Sequence, residues 1–332
     1  MKKNIAIVMG GYSSEHDISI KSGNVVYESL DKSQYNCFRI HIYQKEDGNS
    51  TSTWVYLDEN DDEAVAVDKS DFSIRINREK IHFDCVFNAI HGTPGEDGVL
   101  QAYFELLQIP QTSCNHYQAA LTFNKRDLLS ALKPFGIKSA QSYYLNKGDA
   151  LDEQAVLDQV GLPCFVKANR AGSSYGISKV YKKEDLQKAV QVALEEDDQV
   201  LIEAFLDGTE VSVGVISFEG KPLVLPITEI VSENDFFDYE AKYLGKSQEI
   251  TPARISETQA QKVSDLAFRI YEILGLKGFT RSEFIFKDGA PYLLEVNTTP
   301  GLTKESILPQ QAAVHGMDLS ALFGSAIEEA LR

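Results

Sequence analysis

One stretch of the chain decides how the rest is interpreted: Arg281-Ser282-Glu283-Phe284-Ile285-Phe286-Lys287-Asp288-Gly289-Ala290-Pro291-Tyr292-Leu293-Leu294-Glu295-Val296-Asn297. It predicts two β-strands joined by a tight turn at Asp288-Gly289, a dipeptide typical of hairpins. Because side chains alternate between the faces of a strand, one face of the first strand carries Arg281 and Glu283, and one face of the second carries Glu295 and Asn297. The remaining alternate positions are apolar and are predicted to face a core: Phe284, Phe286, Leu294 and Val296.

The two polar faces of this hairpin come together if the loop has an odd number of residues, such as Lys287-Asp288-Gly289 with Gly289 in the left-handed conformation. Two carboxylates and a carboxamide would then converge beside an arginine. Carboxylates this close need a cation, and hard oxygen ligands suit Mg²⁺, which usually binds phosphate oxygens as well. The alternative is an ordinary exposed sheet face, on which charged residues are common.

Composition narrows the class of protein. The 332 residues suit two or three packed domains, and 43% hydrophobic residues are enough for ordinary cores. A formal net charge of −17 argues against non-specific binding to nucleic acid or to an anionic membrane. The four cysteines are scattered without a CxxC pair, so no metal or redox motif is indicated. Without a signal peptide or a long apolar run, we expect a cytoplasmic protein.

The first part of the chain shows a strand, a glycine turn and a helix, which is how nucleotide-binding α/β folds begin. The turn lacks GxGxxG, and this argues against a dinucleotide-dependent dehydrogenase. Glu15 lies near the predicted start of the helix, either as a site residue or simply as a charge that stabilises the helix N-terminus. His91 opens the stretch HGTPGEDG at the end of a strand, where open α/β sheets bind ligands. It is equally a candidate for a loop histidine bonded to backbone.

Residues 163–180 predict a strand, a loop of small residues and a second strand. Gly172, Ser173 and Ser174 offer backbone N–H groups and hydroxyls that can surround phosphate oxygens, and Lys167 projects from the strand before them as a positive charge. This is not a P-loop, because GxxxxGK[ST] is absent. The alternative is a flexible hairpin tip.

The second half of the chain predicts an antiparallel sheet. Long strands are expected over Glu210–Ser217 and Leu223–Ile230, followed by the polar stretch Ser232–Gln248, which is long enough to be an active-site cover. A helix should begin at Ser256, which stands in capping-box spacing with Gln259.

Five stretches of this chain, in the right order, resemble the D-alanine–D-alanine ligase family of the ATP-grasp superfamily: GGYSSEHDIS, HGTPGEDG, KANRAGSSYG, FDYEAKY and LLEVNTTPGLTKES. The resemblance implies a mixed α/β and α+β ATP-grasp fold. Residues 1–113 would form a Rossmann-like pre-ATP-grasp domain with the first D-alanine site, and residues 114–204 the central ATP-grasp subdomain. Residues 205–332 would form the C-terminal subdomain, with a lid loop at 232–248 and the metal site.

The same resemblance implies a role for each candidate residue. ATP would be held by Lys125, Lys167, Gly172, Ser173, Ser174, Glu203, Ala204, Leu206, Glu210 and Lys242. Two Mg²⁺ ions, or Mn²⁺ in their place, would be held by Glu283, Glu295 and Asn297. Amino-acid substrate would be bound by Glu15, His91, Arg281, Gly301 and Ser306. The side chains expected to act in catalysis are Glu15, Ser173, Tyr243, Arg281 and Ser306.

The resemblance also implies the reaction. ATP would phosphorylate the carboxylate of one D-alanine to an acyl phosphate, and the amine of a second D-alanine would displace phosphate, giving D-alanyl-D-alanine for peptidoglycan precursors. One alternative is a ligase that uses D-lactate or forms another carboxylate–amine bond. Another is a nucleotide-sensing binding protein without turnover. A homodimer is expected from the family.

This chain departs from the usual pattern of the family at a few positions. The family mostly has Asp at position 283, an acidic residue at Asn124, and Pro-Ser…Glu where this chain has Ala168, Asn169 and Ala171. Glu283 is one methylene longer than the Asp that the family mostly has at this metal position.

Overall fold

The computed structural model describes residues 2–44, 52–57, 64–172, 175–232 and 247–332. The strands of this part of the chain are β1 (Lys3–Gly10), β2 (Tyr35–Gln44), β3 (Ser52–Tyr56), β4 (Val65–Ala66), β5 (Ile74–Ile76), β6 (Glu79–Ile81), β7 (Cys85–Asn88), β8 (Ser142–Asn146), β9 (Cys164–Ala168), β10 (Ser178–Val180), β11 (Gln199–Ala204), β12 (Thr209–Phe218), β13 (Lys221–Val224), β14 (Thr228–Ser232), β15 (Ser247–Ile250), β16 (Phe279–Lys287) and β17 (Ala290–Asn297). Its α-helices are α1 (His16–Ser29), α2 (Val99–Leu106), α3 (His116–Phe123), α4 (Lys125–Leu132), α5 (Glu153–Val160), α6 (Leu186–Glu196), α7 (Glu257–Ile273), α8 (Ile307–Val314) and α9 (Leu319–Ala330).

The first sheet has the strand order β4-β3-β2-β1-β7, and β2, β1 and β7 run parallel. β1 and β7 are continuous apolar runs buried on both faces, as parallel strands are. One face packs against α1 and α9, and the other packs against α2. The carboxyl ends of β1 and β7 therefore bring the Glu15 turn and the His91 loop to the same edge of the sheet.

The second sheet, β10-β9-β11-β8, is antiparallel and shares an apolar core with α5 and α6. The third sheet has the order β15-β14-β12-β16-β17, with β13 also paired to β12, and it packs against α4 and α7. Each of these three sheets lies inside one of the predicted ranges 1–113, 114–204 and 205–332. The division of the chain into domains at those boundaries stays a prediction.

The prediction of a single strand over Leu223–Ile230 is wrong. Two strands, β13 and β14, pair with β12 in registers that differ by one residue. Pro226 lies between them, and because proline has no backbone N–H it cannot donate to a continuous ladder. In contrast, the predicted capping box at the start of α7 is confirmed, with Ser256 and Gln259 bonded to each other's backbone. Among the described residues, no helix is both long enough and apolar enough to span a bilayer.

Candidate active site

The hairpin of β16 and β17 turns at the two predicted residues. Asp288 and Gly289 have φ angles of 51° and 73°, and two positive φ angles in a row are what the type I′ hairpin turn requires. The loop therefore has two residues, so the condition of an odd-numbered loop is not met.

A β-bulge brings the polar faces together instead. A regular two-residue hairpin would place Glu283 opposite Leu294, but the register shifts between Glu283 and Phe284. Phe284 pairs with Leu293, and Glu283 pairs with Glu295. One extra residue in β17 thus puts the polar side chains of the two strands on the same face, as the odd loop was expected to do.

Leu294 is that extra residue, and the prediction that it faces a core is wrong. Leu293 is fully buried in the core of the third sheet, whereas Leu294 is half-buried and lines a cavity together with Glu295. The bulge therefore lets two consecutive side chains, one apolar and one charged, face the same cavity.

This first cavity lies between the second and third sheets. Its apolar lining consists of Ala140, Phe165, Ile177, Ala204, Leu206, Ile285 and Leu294. Its charged lining consists of Lys125, Lys167, Glu203, Glu210, Arg281, Glu283 and Glu295. An apolar cleft beside a cluster of charges suits a flat base attached to a polyphosphate.

Lys167 and Glu203 face each other across β9 and β11 inside this cavity. Their Nζ and Oε2 atoms are 2.8 Å apart; the Glu203 side chain is buried, and that of Lys167 is 13% exposed. Burial alone would lower the pKa of Lys167, but the Glu203 carboxylate more than offsets this and the pKa lies above its ordinary value. Oε1 of Glu203 is buried without a hydrogen-bond partner among the described residues, so it can accept a hydrogen bond from a ligand.

Lys125, at the first position of α4, reaches two elements of the site. Its Nζ lies 3.2 Å from Oε2 of Glu295 and donates to the backbone oxygen of Ala171 at 2.7 Å. The buried ammonium thus links the hairpin to the start of the loop that contains Gly172.

The two hairpin carboxylates are surrounded by compensating groups. Nε of Arg281 lies 3.2 Å from Oε1 of Glu283, and the Ser212 hydroxyl donates to the same oxygen at 3.2 Å. On the opposite strand, Asn297 accepts a hydrogen bond from the backbone of Thr299 at 2.9 Å. Among the described residues there is no group of three or more His, Cys, Asp or Glu side chains that could hold a metal. This set has two carboxylates and an amide, and such oxygen donors fit a hard divalent cation that completes its shell with phosphate or water.

A second cavity lies between the first sheet and the hairpin. Glu15 is buried in its wall at 7% exposure. A Cβ atom at Gly172 would lie 2.5 Å from a carboxylate oxygen of Glu15, so a larger residue would fit here only if the Glu15 side chain moved. The far end of the cavity is lined by Gly301 and Ser306. Ser306 is the N-cap residue of α8, and its hydroxyl is 3.0 Å from that of Thr303.

Three charged side chains line both cavities: Lys125, Arg281 and Glu295. Glu283 lines only the first cavity and Asn297 only the second. The hairpin therefore forms the partition between the two spaces.

Comparison with known proteins agrees with this geometry. Residues 4–114 match the family model described as D-ala D-ala ligase N-terminus, and residues 131–328 match that described as D-ala D-ala ligase C-terminus. The chain belongs to the D-alanine–D-alanine ligase family. The resemblance drawn from the sequence is thereby confirmed, as are the ATP-grasp fold and the assignment to ATP-dependent ligases.

Members of this ligase family from other organisms match this chain along nearly its whole length. A D-alanine–D-alanine ligase from Flavobacterium johnsoniae is 64% identical over 329 residues, 99% of each chain. One from Christiangramia forsetii is 58% identical over 331 residues, 100% of this chain and 99% of the relative. Among solved structures, the VanG D-Ala:D-Ser ligase from Enterococcus faecalis has a TM-score of 0.84 at 29% identity and covers 99% of this chain and 100% of its own. The Bacillus anthracis ligase complexed with ATP has a TM-score of 0.78 at 29% identity, over 99% and 98%.

His91, which the ligase resemblance assigns to the first D-alanine, has both ring nitrogens engaged by the protein. Nδ1 lies 2.8 Å from the Thr299 carbonyl, and Nε2 lies 2.9 Å from the Ser22 hydroxyl. A carbonyl can only accept, so Nδ1 carries the proton and Nε2 accepts from Ser22. Burial lowers the pKa of His91, which favours this neutral form. His91 therefore ties the loop after β17 to α1, and a direct contact with substrate stays a prediction.

Glu96 lines the second cavity of this ligase but was not among the candidate residues. It is buried, and Oε2 accepts a hydrogen bond from the Gly92 backbone at 3.0 Å. Burial, and next the charge of Glu15, raise the pKa of Glu96 to about 8. The signal was present in the sequence, since a glutamate stands between the last glycines of HGTPGEDG, but strand periodicity does not reveal which side of a loop is buried.

Four candidate residues lie outside the described part of this ligase: Ser173, Ser174, Lys242 and Tyr243. Most of the predicted lid loop, residues 233–246, lies outside it as well. The other candidates line the two cavities, with His91 at the wall of the second.

Proposed function

We propose that the protein joins two D-alanine molecules into D-alanyl-D-alanine, with conversion of ATP to ADP and phosphate, for peptidoglycan precursors. One observation carries the proposal: a nucleotide-shaped cavity and a second polar cavity share the wall formed by Lys125, Arg281 and Glu295. A ligase of this kind must bring a phosphoryl donor and a carboxylate together at one point, out of reach of water.

In the proposed complex, ATP occupies the first cavity. The adenine lies against Phe165, Leu206 and Leu294, and its amine donates to the unpartnered oxygen of Glu203. Glu210, at the start of β12, is in reach of the ribose. Lys167 and Lys125 place positive charge on the phosphates, where charge develops during transfer.

The first D-alanine occupies the second cavity. Its ammonium group lies at Glu15, and its carboxylate is directed toward Arg281 and Lys125. A carboxylate oxygen attacks the γ-phosphorus, ADP leaves, and an acyl phosphate forms. Arg281 stabilises negative charge on the carbonyl oxygen, together with the backbone N–H of Gly301.

The second D-alanine binds through its carboxylate at Ser306 and the N-terminus of α8, where a negative charge is stabilised. Its deprotonated amine attacks the acyl carbon, and a tetrahedral species forms. Phosphate then leaves with the electrons of the broken C–O bond and takes up the proton that the nitrogen loses. The dipeptide, ADP and phosphate are the products.

We propose Glu283, Glu295 and Asn297 as ligands of Mg²⁺, with Mn²⁺ as a substitute. The bound ions would neutralise phosphate charge during the transfer. Titration of Mn²⁺ by electron paramagnetic resonance, with and without ADP, tests this directly. Binding unaffected by Glu283→Gln and Glu295→Gln together would exclude this ligand set.

We further propose a cytoplasmic homodimer that binds neither nucleic acid nor membrane. The net charge of −17 supports the second part, because like charges repel the protein from phosphate-rich surfaces. Light scattering at several protein concentrations tests the dimer.

The deciding experiment for the function is phosphate release from ATP with a panel of D- and L-amino acids and D-lactate, with the organic product identified by mass spectrometry. Phosphate release that requires D-alanine and yields one dipeptide per ATP is the expected result. An ester product with D-lactate would favour the oxygen-nucleophile alternative. ATP binding without phosphate release would favour a nucleotide sensor.

A further inference from the structure

Asn169 is a fully buried polar residue that lines neither cavity. It is the first residue after β9, on the side that leads to Gly172. A buried asparagine is costly unless its polar atoms are hydrogen-bonded, so its partners show what it holds in place.

Every polar atom of Asn169 has a partner. Its amide nitrogen donates to Oδ1 of Asn124 and to Oε1 of Gln199, both at 2.8 Å, and its Oδ1 accepts from the backbone of Arg126 at 2.9 Å. Its backbone N–H donates to the Gln199 carbonyl at 2.9 Å, and its carbonyl accepts from the Lys125 backbone at 3.4 Å. The orientation of the amide is fixed, because a backbone N–H can only donate.

These bonds cap α4 from a distant part of the chain. The first two N–H groups of the helix, on Lys125 and Arg126, are bound by Asn169, and the third, on Asp127, is bound by the side chain of Asn124. The amide of Asn169 in turn donates to that same Asn124 oxygen. The start of α4 is therefore attached to the end of β9 rather than capped by its own residues alone.

Lys125 is the first residue of this helix, and Ala171, two residues beyond Asn169, accepts the bond from its side chain. The backbone between them is also anchored, because Arg170 forms a paired interaction with the buried Asp197 at 2.6 and 3.0 Å. A displacement of Asn169 would therefore shift the Lys125 ammonium and the loop at Gly172 relative to each other.

We propose that Asn169 is a positioning residue for phosphoryl transfer. It fixes the position of Lys125 relative to the start of the loop at Gly172, so that both elements lie around the phosphates of ATP. This inference rests on the proposed function, since it takes the phosphates of ATP to lie between these two elements. Asn169 acts through Lys125 and touches no substrate.

The test compares Asn169→Asp and Asn169→Ser with wild type. Asp keeps the shape of the side chain but replaces the two donated hydrogen bonds with a carboxylate facing two oxygens, and Ser is too short to reach all three partners. We expect kcat/KM for ATP to fall at least about tenfold in both variants, while KM for D-alanine stays within about twofold. The matched control is Asn36→Asp, which changes an exposed asparagine on β2 bonded to Asn4 and should leave both constants unchanged.

A double-mutant cycle shows whether the effect passes through Lys125. In a Lys125→Met background, we expect Asn169→Ser to change the dissociation constant of ADP less than about threefold, because the group it positions is gone. Equal effects of Asn169→Ser in both backgrounds would overturn the proposal. So would KM for D-alanine rising as much as KM for ATP in the single variants, because that result indicates a general loss of structure.

If the proposed function itself is wrong, these experiments give a different result than if only the positioning role is wrong. If Lys125→Met itself leaves ADP binding and turnover unchanged, the assignment of the first cavity to ATP fails, and the proposal for Asn169 fails with it. If Lys125→Met weakens ADP binding but both Asn169 variants match wild type, only the positioning role is overturned. Thermal unfolding of each variant identifies those that are folded, and Asn169→Ser, which introduces no charge, serves if Asn169→Asp does not fold.

Discussion

The proposed nucleotide cavity and the proposed amino-acid cavity share a wall but are built differently. The nucleotide cavity takes most of its lining from regular strands of two sheets that follow one another in the chain, β9, β11, β12, β16 and β17. The amino-acid cavity takes most of its lining from helix ends and loops that lie far apart, from Glu15 to Leu308. Positions on a strand are set by alternation, whereas positions on loops depend on long-range packing. Substitutions should therefore separate the two cavities cleanly, except at their common wall.

Glu295→Gln should have the largest effect because this residue lines both cavities. The amide removes the negative charge that faces Lys125 at 3.2 Å, and it replaces one oxygen of the proposed metal ligand with a nitrogen donor. We expect kcat to fall by on the order of 10³, with the thermal unfolding midpoint close to wild type. Dipeptide formation is the measurement, and Glu272→Gln at the exposed end of α7 is the control. Activity within about tenfold of wild type would contradict the shared wall.

Lys167→Met should affect only the nucleotide cavity. Loss of the ammonium removes charge from the phosphate site, so KM for ATP should rise by roughly tenfold to a hundredfold while KM for D-alanine is unchanged. The variant also leaves Glu203 buried without its partner and should be less stable. Adding Glu203→Gln should restore stability without restoring ATP affinity. Lys188→Met, on the exposed face of α6, is the control. A parallel rise in both KM values would show that the cavities are not separable.

Ser306→Ala should affect only the amino-acid cavity. It removes a hydroxyl from the N-terminus of α8, where we place the second carboxylate, and a hydrogen bond to a charged group is lost. We expect the weaker of the two D-alanine constants to rise about tenfold, with KM for ATP unchanged. Ser130→Ala, at an exposed position of α4, provides the comparison. An altered ATP constant with normal D-alanine binding would place Ser306 in the wrong cavity.

The smallest effect concerns Glu96 and its dependence on pH. Its pKa is raised from 4.5 to about 8, so the folded state favours the protonated form. The stability that this contributes is fully present below pH 4.5 and is lost as the pH rises through about 8. Glu96→Gln removes the titration but keeps an oxygen for the Gly92 N–H. Urea unfolding of both proteins at pH 5, 6.5 and 8 should therefore show that the free energy of unfolding of the variant increases relative to that of wild type as the pH rises. A constant difference across this range would show that Glu96 is ionised in the folded protein throughout.

Strand patterns in the sequence indicated Lys167, Arg281, Glu283 and Glu295. Lys125, which begins helix α4, and the strand residues Glu203 and Glu210 were candidates only through the family resemblance. The sequence did not predict the bulge at Leu294, since an extra residue in a strand leaves no local mark that distinguishes it from a loop of different length. Pro226 could have indicated the break between β13 and β14, because proline rarely occupies a paired strand position. On the amino-acid side, the partners of His91 are Ser22 and Thr299, which lie 69 and 208 residues away in the sequence. No periodicity within a short window reports such a contact.

The bulge has a consequence for how the chain tolerates insertions and deletions. Removing one residue from a β-strand ordinarily turns every later side chain to the opposite face. Removing Leu294 would instead leave a regular hairpin in which Glu283 still faces Glu295, because the pairing on either side of the bulge already differs by that one residue. What would disappear is part of the apolar surface beside the base. In such a shortened chain, discrimination between adenine and other bases should weaken before phosphoryl transfer does, and nucleobase choice could therefore evolve here independently of the chemistry.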